Sequence, residues 1–236
     1  MWNVDEKGFT LSTANRSKVI ACTGRRPPKT THDGTRELIT IIGTCGAKQV
    51  MLSAMVVFKG AAHYKGWYTE VADENHAYFT YSPKDTYESN PHYLANSLIG
   101  YITDKIGLDW LKKFDADTKP TEVAKYCLLL LDGHRSHYNL HFCEYAWDNK
   151  IILVSYPAHS THLYQPLDVG LFSPLEKSYG DAVAAHMKGT RTGVVKGTFW
   201  ASNCAAQASA YTTILKVPGE PLGLFLTILM QYLPSF

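Results

Sequence analysis

The chain has little cysteine and almost no net charge. Five cysteines, Cys22, Cys45, Cys127, Cys143 and Cys204, lie far apart, and no CxxC pair exists. An odd count at such spacing gives no disulfide framework and points to a reducing, intracellular compartment. Lysine and arginine total 23 against 21 acids, a formal net charge of +2. Strong nucleic-acid binders usually carry a clear basic excess, so any grip on DNA must come from local patches. A long apolar run is missing too. The longest late one, Leu222 to Leu233, is interrupted by Thr227, Gln231 and Tyr232, and it falls short of the roughly 20 residues of a membrane span. Met1 to Thr10 has no basic start followed by an apolar stretch, so no signal peptide is read. A soluble protein without a membrane partner is expected.

What is present is ordinary for a globular chain. Of 236 residues, 45% are apolar and 19% charged, enough for one sizeable domain with an appendage. Met1 to Leu11 reads as a strand that begins almost at residue one, and a natural domain seldom starts mid-strand, so an upstream portion is expected to be missing. Ser17 to Cys22 is a candidate short strand. Gly24 to Arg36 is turn-rich and basic, a surface loop. Leu38 to Cys45 and Gln49 to Phe58 are rich in Ile, Val and Met, with Gly46-Ala47 as the turn of a hairpin. Gly60 to Pro91 is read as a long irregular stretch rich in aromatics. From Tyr93 to Phe114, Leu94, Leu98, Ile102, Ile106 and Trp110 recur at helical spacing. Tyr126 to Leu131 is a short, wholly apolar run, as suits a central strand covered on both faces. Tyr138 to Asp148 reads as a helix, Ile151 to Tyr156 as a buried strand stopped by Pro157, and Asp168 to Lys188 as a helix. The alternation predicts an α/β domain, a mixed sheet with helices on its faces.

Three acids stand at telling places. Asp132 ends the apolar run, and a strand C-terminus is where α/β folds collect functional groups; it could equally be a turn aspartate, because Asp-Gly is a common turn pair. Asp168 heads a helix, where an N-cap is the plain alternative. Asp5 lies in the first strand beside Glu6, on the opposite face from it; a lone strand acid is more often a surface residue. Taken together, the first strand, a central strand end and a helix head can gather three carboxylates at one edge of a sheet. Clustered carboxylates repel unless a cation holds them, and hard oxygen ligands favour Mg²⁺ or Mn²⁺. Two such ions can activate a water or hydroxyl and stabilise the leaving oxygen of a phosphodiester without a covalent protein nucleophile.

At these residues the chain resembles a known family. Asn3-Val4-Asp5-Glu6-Lys7-Gly8-Phe9 resembles the first-aspartate motif of the pogo-like branch of the mariner/pogo transposases, which are DDE endonucleases. Leu131-Asp132-Gly133-His134-Arg135-Ser136-His137 resembles the second-aspartate motif, and the segment from Pro157 through His162-Leu163-Tyr164-Gln165-Pro166-Leu167-Asp168 to Phe172 the third. Gly34 to Gly60 and Gly107-Leu108-Asp109-Trp110-Leu111 are similar to further parts of that family. The likeness covers roughly residues 1 to 190.

The resemblance implies a ribonuclease H-like fold over residues 1–190, with 191–236 as a C-terminal extension whose last 20 residues are atypical. It implies a transposase catalytic domain, a metal-dependent DNA endonuclease and strand transferase in which Asp5, Asp132 and Asp168 are catalytic and bind two Mg²⁺ or Mn²⁺ ions. DNA is then the partner, the nucleus the compartment, and a homodimer is left open. Centromere protein B and jerky proteins are host-domesticated relatives of that family, and a truncated, inactive nucleic-acid-binding derivative is the alternative. The family usually carries helix-turn-helix domains before its first aspartate, whereas four residues precede Asp5 here. Val217 to Phe236 also departs from the family's glycine- and proline-containing continuation.

Other polar groups have weaker readings. His134, His137 and His141, and His159 and His162, have helix-like spacing, but no cysteine partners or HExxH pattern support zinc. His134 and His137 are expected to cap the site or touch phosphate, and His162 and Gln165 to pack beside Asp168. Arg25, Arg26, Lys29 and Arg36 form either a solvated loop or a set of phosphate contacts. Trp67, Tyr68, Tyr78, Phe79 and Tyr81 could stack on unpaired bases, with core packing as the plainer alternative.

Binding of DNA by this chain alone is therefore expected to be weak, indifferent to sequence and steeply lost as salt rises. Titration of two unrelated duplexes at low and moderate salt checks this. Tight binding to one duplex that survives moderate salt would refute it and reveal a base-reading element.

Overall fold

The computed structural model describes residues 1–11, 37–47, 50–59, 78–82, 103–119, 125–132, 139–157, 165–190, 192–200 and 202–203. The strands are β1 (Trp2–Thr10), β2 (Leu38–Gly46), β3 (Met55–Lys59), β4 (Tyr78–Ser82), β5 (Cys127–Leu131) and β6 (Ile151–Ser155). The helices are α1 (Asp104–Thr118), α2 (Leu140–Asp148) and α3 (Ser173–Thr190), the last preceded by a π-helical stretch, Leu167–Phe172. One six-stranded sheet results, in the order β4-β3-β2-β1-β5-β6. β2 is antiparallel to β1 and β3, while the β1–β5, β3–β4 and β5–β6 pairs are parallel. The expected α/β class, a mixed sheet with helices on both faces, is what forms.

Side-chain alternation divides the sheet into two cores. On one face Phe9, Ile39, Ile41, Val56 and Phe58 meet Leu167, Leu171 and Phe172 of the π-helical stretch and Leu175, Tyr179 and Val183 of α3. Val194, Phe199 and Trp200 belong to this core as well. On the other face Val4, Ile42, Val57, Leu129 and Leu131 meet Ile106, Trp110, Leu111 and Phe114 of α1 and Phe142 and Ala146 of α2. Coverage on both sides explains why β5 is wholly apolar and β2 is buried along almost its whole length.

Local chemistry sets the helix starts. The Thr103 hydroxyl accepts from the Ile106 amide at 3.3 Å, and the Asn139 side chain accepts from the Phe142 amide at 2.8 Å, each satisfying a donor that the first turn leaves open. In α1, Ile106, Trp110 and Phe114 recur every four residues on one buried stripe, and Trp110 stacks on Phe114 with ring centroids 5.4 Å apart.

Several expectations need correcting. The strand expected over Gln49 to Phe58 is only β3. Gly46 donates to the Val50 carbonyl at 2.7 Å, Met51 bridges Cys45 and Leu52 donates to the Thr44 carbonyl at 3.1 Å, but no regular strand forms before β3 begins at Met55. Within the stretch read as irregular, β4 pairs with β3 over all five residues. The helix expected from Tyr93 begins at Asp104 because Thr103 caps it, and it runs on to Thr118; residues 93–102 lie outside the described residues. β6 is an edge strand, and Ile151 is its one buried residue. Ser17 to Cys22, Gly24 to Arg36 and the tail Leu222 to Leu233 also lie outside the described residues.

Gly46 closes the β2 end against Trp2. A Cβ there would sit 2.8 Å from the Trp2 ring. Gly46→Ala is expected to destabilise the domain by about 1–3 kcal/mol through overpacking. Urea denaturation measures this, and an unchanged midpoint would show that the indole moves aside at no cost.

Candidate active site

The site grows from β1. Its odd-numbered residues Asn3, Asp5, Lys7 and Phe9 point to the face covered by the π-helical stretch and α3. Phe9 enters that core, and Lys7 pairs with Glu176 of α3 at 2.9 Å. Asp5 is therefore roofed by the element that carries Asp168. It is only 8% exposed. Its partner across β2 is Gly43, where a Cβ would already touch the Phe172 ring at 3.5 Å. A larger residue at 43 would lift that ring, and the start of the helix with it.

Asp132 reaches the same place from β5. Asn3 pairs with Leu130 in the parallel β1–β5 ladder. Continued by two residues, the same offset sets Asp132 beside Asp5, on the face Leu130 shares with Asn3. Asp132 follows the last residue of β5 and is half-buried. Asp168 is the second residue of the π-helical stretch and is exposed, while Leu167 and Leu171 anchor that stretch in the core. The N-cap position belongs to Pro166, so Asp168 is not an N-cap and its carboxylate is not spent on the helix. π-helical turns recur at functional sites, where the extra residue re-aims a side chain.

Electrostatics ties the three together. Burial pushes the Asp5 carboxyl up to about 8, and the charges of Asp168, then Asp132, then Glu6 add to the rise. The Glu6 backbone amide opposes it by donating to Oδ1 at 2.8 Å. Oδ2 is buried and has no hydrogen-bond partner among the described residues. A buried, unpartnered carboxylate oxygen in the field of two further carboxylates is costly, and it is the donor type a hard divalent cation takes. Among the described residues no group of three or more His, Cys, Asp or Glu side chains is placed to hold a metal ion.

Residues that the sequence reading passed over lie beneath the carboxylates. Asn3 is fully buried and donates to the Leu130 carbonyl and the Tyr156 hydroxyl, each at 3.3 Å. The Cys45 thiol lies 4.0 Å from Asn3 Oδ1. Burial, with Asp5 adding its charge, pushes that thiol up to about 12, so it is an inert structural group. Burial and the same neighbours raise the Tyr156 hydroxyl. The clue was Asn3, a polar residue two positions before Asp5 and so on the same face of β1. Gln165, expected beside Asp168, is 1% exposed and donates to the Val4 carbonyl at 3.5 Å. Arg25, Arg26, Lys29, Arg36, His134, His137, His159 and His162 lie outside the described residues. His141 is exposed on α2, with Glu144 3.5 Å away.

A family model described as DDE superfamily endonuclease matches residues 35–212, well over half of the chain. The chain belongs to the DDE superfamily endonucleases. Asp132 and Asp168 fall inside the matched segment and Asp5 precedes it. A protein of Cochliobolus lunatus named MFS-type transporter clz9 is 33% identical over 186 residues, which is 78% of this chain and 18% of that protein. The chain thus spans less than a fifth of that relative. No helix among the described residues is long and apolar enough to cross a membrane. Among solved structures, the Mos1 transposase paired-end complex with left transposon end matches at 10% identity and a TM-score of 0.48, over 91% of this chain and 54% of that one. The Mos1 strand transfer complex matches at 10% identity and 0.49, over 93% and 55%. The chain spans about half the length of these proteins.

A raised carboxyl has a definite sign in stability. An unfolded chain releases the Asp5 proton near 3.8, whereas the folded chain holds it to about 8. The stabilisation linked to this proton is complete below the lower value and is lost as pH rises through the upper one. In chelator, Asp5→Asn should therefore match the parent near pH 4 and exceed its stability at pH 8 by at least about 1 kcal/mol. Melting curves across that range decide; parallel pH profiles for the two proteins would mean that Asp5 is not the titrating group.

Proposed function

We propose that this DDE endonuclease family member is the catalytic domain of a cut-and-paste DNA transposase of the pogo-like branch, related to centromere protein B and jerky-like proteins. The observation that carries this reading is that the charges of Asp132 and Asp168 both bear on the buried Asp5. Asp132 and Asp168, both more than 120 residues beyond Asp5 in sequence, act on it from a strand end and a helix head. Such a carboxylate set suits metal-assisted hydrolysis of a phosphodiester. Family membership and the HSTHLYQPLD string support the assignment. A ribonuclease H-like domain over residues 1–190, an extension over 191–236, DNA as partner and the nucleus as compartment belong to the same proposal.

In this reading Asp5, Asp132 and Asp168 hold two divalent cations, Mg²⁺ or Mn²⁺. When bound, the cations lower the barrier to attack of a water or 3′-hydroxyl on the phosphodiester and stabilise the leaving oxygen. The chain's own residues do the rest. Asp5 is the rigid ligand, held by the Glu6 amide and by packing on both sides. Asp168, exposed at the head of its helix, is the ligand nearest solvent and faces the side from which DNA arrives. Asp132 follows a buried strand and completes the set.

The full chain is expected to nick duplex DNA in Mg²⁺ or Mn²⁺ and not in chelator. Asp132→Asn and Asp168→Asn should each cut nicking by more than about 100-fold, beyond what loss of an outer partner of a metal site costs. Both variants should keep the parent's melting temperature within a few degrees. Nicking at the parent's rate in either variant would sink the triad. No nicking by the parent would favour an inactive, DNA-binding derivative.

A further inference from the structure

We propose that Asn3 and Gln165 are positioning residues, two buried amides that set where Asp132 and Asp168 stand relative to Asp5. This rests on the reading of the three aspartates as cation ligands.

Both amides are buried, Asn3 fully and Gln165 almost so. Polar groups in such places cost free energy unless each is given a partner. A leucine or a methionine would fill the same space without that demand, so what the amides add is direction. Asn3 is two residues before Asp5 on the same face of β1, and Leu130 is two residues before Asp132 on β5. The bond from Asn3 Nδ2 to the Leu130 carbonyl therefore joins the two strands one pleat below the two carboxylates. The second bond, to the Tyr156 hydroxyl, ties in the chain just beyond β6. The β1–β5 ladder pairs only Trp2 with Leu129 and Asn3 with Leu130. So short a ladder specifies register weakly, and a slip of one residue would turn Asp132 to the other face of the sheet. Asn3 pins the register where the ladder alone is thin.

Gln165 does the same for the third acid. It lies three residues before Asp168, and its amide reaches the carbonyl of Val4, the neighbour of Asp5. The segment leading into the π-helical stretch is thereby joined to the strand it must face. Leu167, Leu171 and Phe172 give that stretch its burial, but apolar packing is non-directional, and the amide supplies the direction.

The experiment uses the full chain and Mn²⁺ alone as probe, by calorimetric titration and melting, with nicking measured alongside. Asn3→Leu and Gln165→Met keep side-chain volume and remove the amides, while Tyr156→Phe removes only the hydroxyl that Asn3 meets. Asn3→Leu and Gln165→Met should each weaken Mn²⁺ binding about 10–100-fold, with metal-free melting within a few degrees of the parent. Tyr156→Phe should show a smaller loss in the same direction. A purely structural role would instead lower metal-free melting and leave the Mn²⁺ affinity of the folded protein unchanged, and that result overturns the proposal. Should one amide variant fail to fold, the other and Tyr156→Phe decide by the same measure. A parent chain that binds no Mn²⁺ overturns the triad as a cation site and this inference with it, whereas a parent that binds and variants that bind equally well overturn this inference alone.

Discussion

Asp5 is a carboxylate buried in an interior strand of the sheet, and most of the architecture around it is explained by the need to keep it there. Removing such a group from water is expensive, and two further acids nearby raise the cost. The protein meets it with a single backbone donor to Oδ1 and with rigid walls: β2 on one side, β5 on the other and the π-helical stretch above. Oδ2 has no partner among the described residues. A core designed for stability alone would place valine or isoleucine at this position, as β1 does at Val4. In the proposed function, that cost is offset when a cation binds.

The surroundings follow from that constraint. Phe172 packs over Gly43, so the helix bearing Asp168 sits close to the strand bearing Asp5. Lys7 reaches Glu176, linking β1 to α3 one pleat further along. Beneath the acids, Asn3, Tyr156 and Cys45 form a small polar floor whose thiol and hydroxyl are held protonated by burial and by the Asp5 charge. These groups contribute no reactive proton near neutral pH; their effect is geometric.

Much of the scaffold was legible along the chain. β1, β2, β5 and α2 fall close to the segments read as strands and helix, because central strands and short amphipathic helices are governed by local composition. Less was legible where pairing partners decide. Tyr78–Ser82 has no strand signal strong enough to stand out from its surroundings, yet β3 gives it a parallel ladder. Ile151–Ser155 looks like a core strand, but it lies at the edge because no further strand follows β6 in the sheet order. Asp168 had the sequence signature of an N-cap, and the π-helical turn moved the cap to Pro166.

By itself, the sequence determined the fold class and the family, because periodicity and short motifs are properties of neighbouring residues. Only the tertiary structure decided that Asp5 is the buried member of the set, that Asp168 is the exposed one, and that Asn3 and Gln165 cross-link the strands and helix that carry them. Those facts depend on which strands lie side by side and in what register. Burial and long-range electrostatics arise from contacts between residues as far apart as Val4 and Gln165, and no local pattern in the chain encodes such distances.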